Sequence, residues 1–233
     1  MENALVRRVG LLVPSSDTIM EPDLWRRLPV DMSLHVARMY LESTTVAGEE
    51  KMLQEELLPA AERIASAQPE MIVFGCTSAA ALHGLEGDTS IAERIAKATG
   101  AHAITVTQAA IRAIRKLAPA RIFLFTPYVP ELTQRLEHTF READLPVCDS
   151  EGLGIADDLR IAAVAPQEIK ESVVRAVHRL QRSPDTIFIS CTTFRAFEAS
   201  EAIHSDLGIP VVTSNQAALG AIVNHFQTQP SAP

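Results

Sequence analysis

Short apolar runs alternate with longer amphipathic segments along the chain. The seven runs predicted as strands are Val9–Val13, Leu34–Ala37, Met71–Phe74, Ala103–Val106, Arg121–Phe125, Thr186–Ile189 and Pro210–Val212. These runs are apolar with little polar alternation. That pattern is typical of a parallel sheet that is covered by helices on both faces.

Between these runs, apolar residues recur at the three- and four-residue spacing of helices that bury one face. The predicted helices are Gly48–Ala67, Ser90–Thr99, Gln108–Leu117, Glu131–Ala143, Gln167–Arg182, Ala196–Leu207 and Asn215–Phe226. Because strands and helices alternate, the chain is predicted to be a doubly wound α/β protein.

The two halves of the sequence resemble each other. RVGLLVPSSD resembles RIFLFTPYVP, MIVFGCTSA resembles TIFISCTTF, and AITVTQAAIRAI resembles PVVTSNQAALGAI. The matched pairs are Pro14 and Pro127, Cys76 and Cys191, and Gln108 and Gln216, at offsets of 113, 115 and 108 residues. Such internal similarity predicts two pseudo-symmetric lobes. We assign residues 1–112 to the first lobe, with a C-terminal helix over 213–233 packed on it, and residues 113–212 to the second.

Cys76 and Cys191 each follow a predicted buried strand, in FGCTSA and FISCTTF. Ligands of open α/β sheets bind outside the carboxyl ends of the strands. If the lobes face each other, the two thiols meet in one cleft between them. A single buried cysteine usually only fills space. Two at equivalent positions of a repeat favour a functional pair.

Composition limits the classes of partner and compartment. The chain has 233 residues, a formal net charge of −8 and three cysteines. A negative charge argues against a nucleic-acid partner. No apolar stretch approaches the roughly 18 residues that span a membrane, and the first residues do not resemble a signal peptide. We therefore expect reduced thiols and a cytoplasmic location.

Two facing thiols suit two kinds of cofactor-free chemistry. One thiolate could take a proton from a planar carbon while the other thiol delivers one, which is racemisation. Alternatively, one thiolate could add to an electron-poor double bond while the other manages the proton. Helix N-termini after each cysteine, at Thr77-Ser78 and Thr192-Thr193, are expected to stabilise anions. The segment Pro14 to Thr18, before a helix near Met20, is a third candidate anion site.

Other chemistries have little support in the sequence. Cys76 and Cys191 lack the paired Cys or His spacing of a zinc site. No phosphate-binding glycine motif or G-x-S-x-G elbow is found, so no cofactor is predicted. We interpret Cys148 as structural and His83 as solvated or capping. The run Glu49–Lys51 is interpreted as a solvated helix face.

The segments VPSSDTIMEPDL, FGCTSA, TPYVPEL, SCTTFRA and GIPVVTSNQA resemble the maleate isomerase and arylmalonate decarboxylase branch of the aspartate/glutamate racemase superfamily. The resemblance implies a cofactor-independent isomerase that converts maleate to fumarate. It places the nucleophile at Cys76, the partner acid/base at Cys191 and a substrate-binding hydroxyl at Tyr128. Backbone N–H groups around Thr77, Ser78 and Thr192 would hold substrate carboxylates. The decarboxylases of this branch keep only the second cysteine.

The sequence departs from this family at two positions. Maleate isomerases have asparagines where this chain has Asp17, after Ser16, and Asp158. An ionised carboxylate cannot donate a hydrogen bond to a substrate carboxylate. The aspartates therefore suggest an alternative, an EutA-like racemase or epimerase of amino-acid derivatives, whose ammonium group they would bind. A helix cap is the simpler interpretation of Asp17.

A non-catalytic small-molecule binding protein is a further alternative. Under each interpretation the expected partner is a small carboxylate-containing molecule, bound by Ser16, Asp17, Thr77, Ser78, Tyr128, Asp158, Thr192 and Thr193. We also expect a homo-oligomer, either a dimer or a tetramer.

Overall fold

A computed structural model describes residues 6–228 of the chain. The strands are β1 (Arg7–Pro14), β2 (Met32–Met39), β3 (Met71–Phe74), β4 (His102–Thr105), β5 (Ile122–Thr126), β6 (Val147–Gly152), β7 (Thr186–Ile189) and β8 (Val211–Thr213). The helices are α1 (Met20–Trp25), α2 (Val46–Glu55), α3 (Leu57–Ala65), α4 (Thr77–Ala80), α5 (Gly84–Thr99), α6 (Val106–Lys116), α7 (Pro130–Glu142), α8 (Asp158–Ala163), α9 (Pro166–Arg179), α10 (Ala196–Leu207) and α11 (Ser214–Thr228).

These strands form two four-stranded sheets with the same topology. One has the order β2-β1-β3-β4 and the other β6-β5-β7-β8. Every neighbouring pair is parallel. Since parallel strands need crossovers, helices connect them and cover the sheets. The predicted α/β class with two pseudo-symmetric parallel sheets is confirmed.

The central strands carry the core of each sheet. All residues of β3, β5 and β7 are buried. Because helices lie on both faces, an apolar side chain is stabilising on either side of these strands. This explains why the apolar runs predicted them well.

Two predicted helices were wrong in extent, and strand β6 and helix α8 were not predicted. The helix predicted over Gly48–Ala67 is two helices that meet at Glu56. Pro59 has no N–H to donate to the Glu55 carbonyl, so one continuous helix cannot pass this point. The helix predicted from Ser90 begins at Gly84. Strand β6 was missed because its residues, VCDSEG, are only half-buried or exposed at the sheet edge.

The C-terminal helix α11 packs against α6 and α1. The lobe boundaries at residues 112 and 212 remain a prediction. Residues 1–5 of the predicted first lobe and residues 229–233 of the predicted C-terminal helix lie outside the described residues. Within residues 6–228, no helix is both long and apolar enough to cross a membrane.

Candidate active site

A narrow cavity lies where the carboxyl ends of the two sheets meet. Its lining residues are Pro14, Leu41, Thr44, Glu49, Cys76, Thr77, Ser78, Tyr128, Asp158, Cys191, Thr192 and Thr193. Eight of these were proposed from sequence as site residues, and they come from both repeats. Ser16 and Asp17, which were also proposed, are not among the lining residues.

Cys76 lies between β3 and the short helix α4. Its backbone is extended (φ −143°), and it precedes the first helical residue, Thr77. A side-chain carbon at Gly75 would come within 2.6 Å of the Met20 sulfur. A larger residue at position 75 would therefore require Met20 to move, next to the buried side chain of Cys76.

Cys191 has a strained backbone, unlike Cys76. Its φ is +92°, in the region that glycine favours. The sequence predicted a helix N-terminus directly after this cysteine, and that prediction was wrong. Thr192 and Thr193 lie in a turn, and α10 begins only at Ala196. A strained conformation persists only where surrounding contacts hold it, and such residues cluster at functional sites.

The junction of β8 and α11 supplies those contacts. The Ser214 hydroxyl oxygen accepts a hydrogen bond from the Cys191 N–H at 3.1 Å. It lies 2.9 Å from the Thr77 hydroxyl of the first repeat. Next to it, Asn215 donates to the Thr192 carbonyl at 3.0 Å and to Asp23 at 2.9 Å. The TSN segment thus fixes the loop of the second cysteine and joins it to the first.

The hydroxyl groups of Thr77 and Thr192, beside the two cysteines, form hydrogen bonds within the protein. Thr192 donates to the Gly75 carbonyl at 3.2 Å, across the two repeats. The Thr77 hydroxyl contacts Ser214, as described above. Their peptide N–H groups are separate from these contacts. Those of Thr77 and Ser78 lie in the first turn of α4, where a helix offers no internal acceptor.

Tyr128 follows β5 and is fully buried. Its hydroxyl lies 3.1 Å from the Ser190 hydroxyl. Burial, assisted by the Cys191 thiol nearby, raises the pKa of Tyr128 well above its ordinary value. The phenol therefore stays protonated and can donate a hydrogen bond.

Asp158 lies at the start of α8 and joins the two repeats. One carboxylate oxygen accepts from the Ser16 hydroxyl and the other from the Thr44 hydroxyl, both at 2.6 Å. The Thr44 N–H also donates to the Ala156 carbonyl at 3.0 Å. Ser16 therefore holds Asp158 in this structure, and its predicted contact with substrate stays a prediction.

Asp17 caps the helix α1. Its Oδ1 accepts from the N–H groups of Ile19 and Met20 at 2.8 and 2.9 Å. Burial raises the pKa of this carboxyl, although these hydrogen bonds oppose the rise. The simpler of the two interpretations of Asp17, a helix cap, agrees with this geometry.

Glu49 was assigned to a solvated helix face, and that assignment was wrong. The side chain is completely buried and lines the cavity. Its Oε1 accepts a hydrogen bond from the Ser78 hydroxyl, and its Oε2 is buried without a hydrogen-bond partner. Burial raises its pKa from 4.5 to about 8, and the nearby Asp158 contributes to the rise. Its neighbour Glu50 is half-exposed and lies near His83.

Both thiols are protonated at neutral pH. Burial raises the pKa of Cys76 well above its ordinary value, and the Glu49 carboxyl adds to the rise. Burial has the same effect on Cys191, to which Asp158 and Asp17 contribute. The lining residues of the described chain include no Lys, Arg or His. Catalysis by a thiolate therefore needs a proton acceptor within the site.

Cys148 and His83, which were interpreted from sequence as having no role in catalysis, do not line this cavity. Cys148 lies on β6, half-buried, and His83 is exposed. In the part of the chain that the structure describes, no group of three or more His, Cys, Asp or Glu side chains is arranged to hold a metal ion.

The profile of the arylmalonate decarboxylase family matches residues 9–233. The chain belongs to this family. A maleate isomerase from Nocardia farcinica is 27% identical over 240 residues, which cover 98% of this chain and 93% of the relative. The arylmalonate decarboxylase of Bordetella bronchiseptica is 25% identical over 217 residues, covering 93% and 89%.

A solved structure of the Nocardia farcinica maleate cis-trans isomerase gives the same architecture. It is a cysteine-to-serine variant with a covalently bound succinylcysteine intermediate. The TM-score is 0.84 at 25% identity, and the match covers 94% of this chain and 91% of that one. That enzyme, which shares this fold, thus forms a covalent intermediate on a cysteine.

Proposed function

We propose that this member of the arylmalonate decarboxylase family is a cofactor-independent cis-trans isomerase that converts maleate to fumarate. The observation that carries the proposal is that Cys76 and Cys191, from equivalent strand ends, line one cavity. The maleate isomerase relatives and the succinylcysteine adduct of one of them support it.

The first half of the reaction forms a covalent adduct. The Cys76 thiolate adds to one alkene carbon, and the π electrons pass to the adjacent carbon, where the carboxylate delocalises them. The Cys191 thiol then gives its proton to that carbon. The product is a succinyl group bound to the Cys76 sulfur, and its central carbon–carbon bond is now single.

The second half reverses these steps after rotation about that single bond. The Cys191 thiolate removes the proton from the same carbon. The electron pair re-forms the double bond, now trans, and Cys76 leaves as a thiolate. Protons and electrons balance without any cofactor, because each thiol ends as it began.

Donors in the cavity suit the substrate carboxylates. Tyr128 offers a phenol that burial keeps protonated, and Thr193 offers a hydroxyl. The N–H groups of Thr77 and Ser78 add two more donors. These contacts would hold the carboxylates while the central bond rotates.

The racemase alternative depended on Asp17 and Asp158 binding a substrate ammonium. In the structure, two peptide N–H groups occupy Asp17 Oδ1, and hydroxyls of Ser16 and Thr44 occupy both oxygens of Asp158. Protein donors thus satisfy three of these four oxygens. The relatives named above also favour the isomerase over the racemase and over a non-catalytic binding protein.

Proton NMR with maleate tests the proposal. We expect fumarate to form with the natural chain, and the rate to fall by about 10³-fold or more in Cys76→Ala and in Cys191→Ala, because each removes a reacting group. Cys148→Ser is the matched control and keeps its activity. Full activity of either site variant, or no fumarate with the natural chain, would contradict the isomerase assignment.

Two further proposals concern the setting of this reaction. Because both thiols must stay reduced, we propose that the protein works in a reducing compartment such as the cytoplasm. The expected homo-oligomer also remains a proposal, and light scattering of the purified chain tests it.

A further inference from the structure

Glu49 is a buried carboxyl group at the cavity that the reaction described above does not use. It extends from α2, which lies outside all of the sequence segments that resemble the family. Its Oε1 accepts a hydrogen bond from Ser78, and its Oε2 has no partner. Burying an acid whose oxygens are not all hydrogen-bonded costs stability, and such groups cluster at functional sites.

The Ser78 hydroxyl lies between Glu49 and the nucleophilic sulfur. It is 3.9 Å from the Cys76 sulfur, within reach of a weak hydrogen bond from a thiol. Since the hydroxyl hydrogen is directed to Glu49, its oxygen is free to accept from the Cys76 S–H. The three groups thus form a directed chain from thiol to carboxylate.

The other titratable groups facing these residues are poorer acceptors. Asp158 already accepts two hydroxyl hydrogens, from Ser16 and Thr44. Cys191 must keep its own proton for the substrate carbon. Tyr128 is a neutral phenol with a raised pKa. Glu49 is the group that remains.

We propose that Glu49 accepts the proton of the Cys76 thiol through the hydroxyl of Ser78. The thiol proton moves to the Ser78 oxygen while the Ser78 proton moves to Glu49 Oε1. A Cys76 thiolate and a neutral Glu49 carboxylic acid result, and the same path returns the proton after product leaves. Glu49 acts through Ser78 and does not itself touch the substrate.

Keeping the number of buried charges constant makes this transfer less costly than ionisation of Cys76 alone. Ionising Cys76 by losing its proton to water, with Glu49 already ionised, would place two negative charges in a low-dielectric cavity. The relay instead moves one existing charge. Because the pKa of Glu49 is raised to about 8, its carboxylate is a stronger base than an ordinary one. The pKa of Cys76 is raised further, so the proton transfer is completed as the sulfur attacks. The two groups then titrate as a pair.

This inference rests on the proposed isomerase function for its purpose, but proton transfer can be tested without substrate. The test uses a chain carrying Cys148→Ser and Cys191→Ser, so that Cys76 is the single thiol. The rate of its alkylation by iodoacetamide is measured from pH 6 to 11, an interval of about two units either side of an ordinary thiol pKa. Because every variant is compared with the same reagent, the relative rates report how readily the Cys76 thiol gives up its proton during attack.

We expect Glu49→Gln to slow alkylation at pH 9 by about tenfold or more, because the attacking thiol loses its proton acceptor. Glu49 is mostly ionised at this pH, since its pKa is about 8. Ser78→Ala keeps its peptide N–H but removes the relay, and slows alkylation likewise. The matched control is Glu50→Gln, on the same helix but half-exposed, and it leaves the rate unchanged.

A purely electrostatic role of Glu49 predicts the opposite change in rate. If Glu49 acts on Cys76 only by charge repulsion, Glu49→Gln removes that repulsion and alkylation becomes faster. Faster alkylation, or no change, overturns the relay. Circular dichroism checks that each variant is folded, and Ser78→Ala decides alone if Glu49→Gln does not fold. Slower alkylation of these variants, in a chain that does not isomerise maleate, would keep the relay and reject the proposed function.

Discussion

At the residue scale, the two cysteines occupy equivalent strand ends but have different backbone conformations. Cys76 is extended, with φ −143°, and Cys191 has φ +92°. A side chain at positive φ costs roughly 1 kcal/mol or more, whereas glycine adopts it freely. The fold therefore bears a strain at Cys191 that it does not bear at Cys76, and a pair of substitutions at each position can measure it.

We predict opposite orders of stability at the two sites. Cys191→Gly should be more stable than Cys191→Ala by about 1 kcal/mol, because glycine relieves the strain. Cys76→Gly should be less stable than Cys76→Ala by about 0.5–1 kcal/mol, because glycine adds only unfolded-state entropy there. Urea unfolding of the four variants measures both differences. The same order at both sites would show that Cys191 is unstrained.

At the scale of elements, the junction of β8 and α11 organises the second cysteine although it contributes no residue to the cavity lining. Ser214 accepts from the Cys191 N–H and contacts Thr77, so one hydroxyl connects the loops of both thiols. Removing it leaves a buried N–H without an acceptor beside the reacting sulfur.

Ser214→Ala is therefore expected to slow fumarate formation by about tenfold or more and to cost about 1–3 kcal/mol of stability, the scale for a buried donor left unpaired. Its control is Ser200→Ala, a buried serine of α10 that contacts Phe197 and Gln216. That variant should lose comparable stability but keep its rate. Equal rates in both variants would remove Ser214 from the positioning of Cys191.

Much at this scale could be predicted from the sequence, and some of what was missed left a signal. Adding the repeat offset of 113 residues to β2 (Met32–Met39) gives 145–152, which contains the missed strand β6. Apolar content alone could not find it, because an edge strand is half-solvated. Pro59 similarly marks the break between α2 and α3.

Glu49 also had a signal. It lies three and four residues before Met52 and Leu53, on the buried stripe of α2. An acid on such a stripe at a helix end is a candidate for a site near the strand termini. By contrast, the positive φ of Cys191 and the Ser78–Glu49 contact arise from tertiary packing. No local pattern in the chain encodes them.

At the scale of the whole molecule, the two repeats are joined most directly at the cavity. The carboxylate of Asp158, in the second repeat, accepts hydroxyl hydrogens from Ser16 and Thr44 of the first. Thr192 reaches back to Gly75. Because buried groups that hold the site also hold the repeats together, ionisation in the cavity is coupled to the stability of the entire fold.

Because of this coupling, Glu49 is predicted to make the free energy of unfolding depend on pH. Its pKa rises from 4.5 to about 8 on folding, so the folded chain keeps a proton that the unfolded chain loses. Below pH 4.5 its stabilising contribution is fully present; it is lost as pH rises through about 8. The loss is up to about 1.4 kcal/mol per pH unit in this window.

Glu49→Gln does not titrate, so it isolates this contribution. Relative to Glu49→Gln, the natural chain should lose a few kcal/mol of unfolding free energy between pH 4.5 and about 8, and no more above it. Urea unfolding at pH values spanning this window measures the difference, with Glu50→Gln as the control that follows the natural chain. A difference that stays constant with pH would mean that folding does not raise the pKa of Glu49. Its carboxylate would then be too weak a base to accept the proton of Cys76, and the relay would fail.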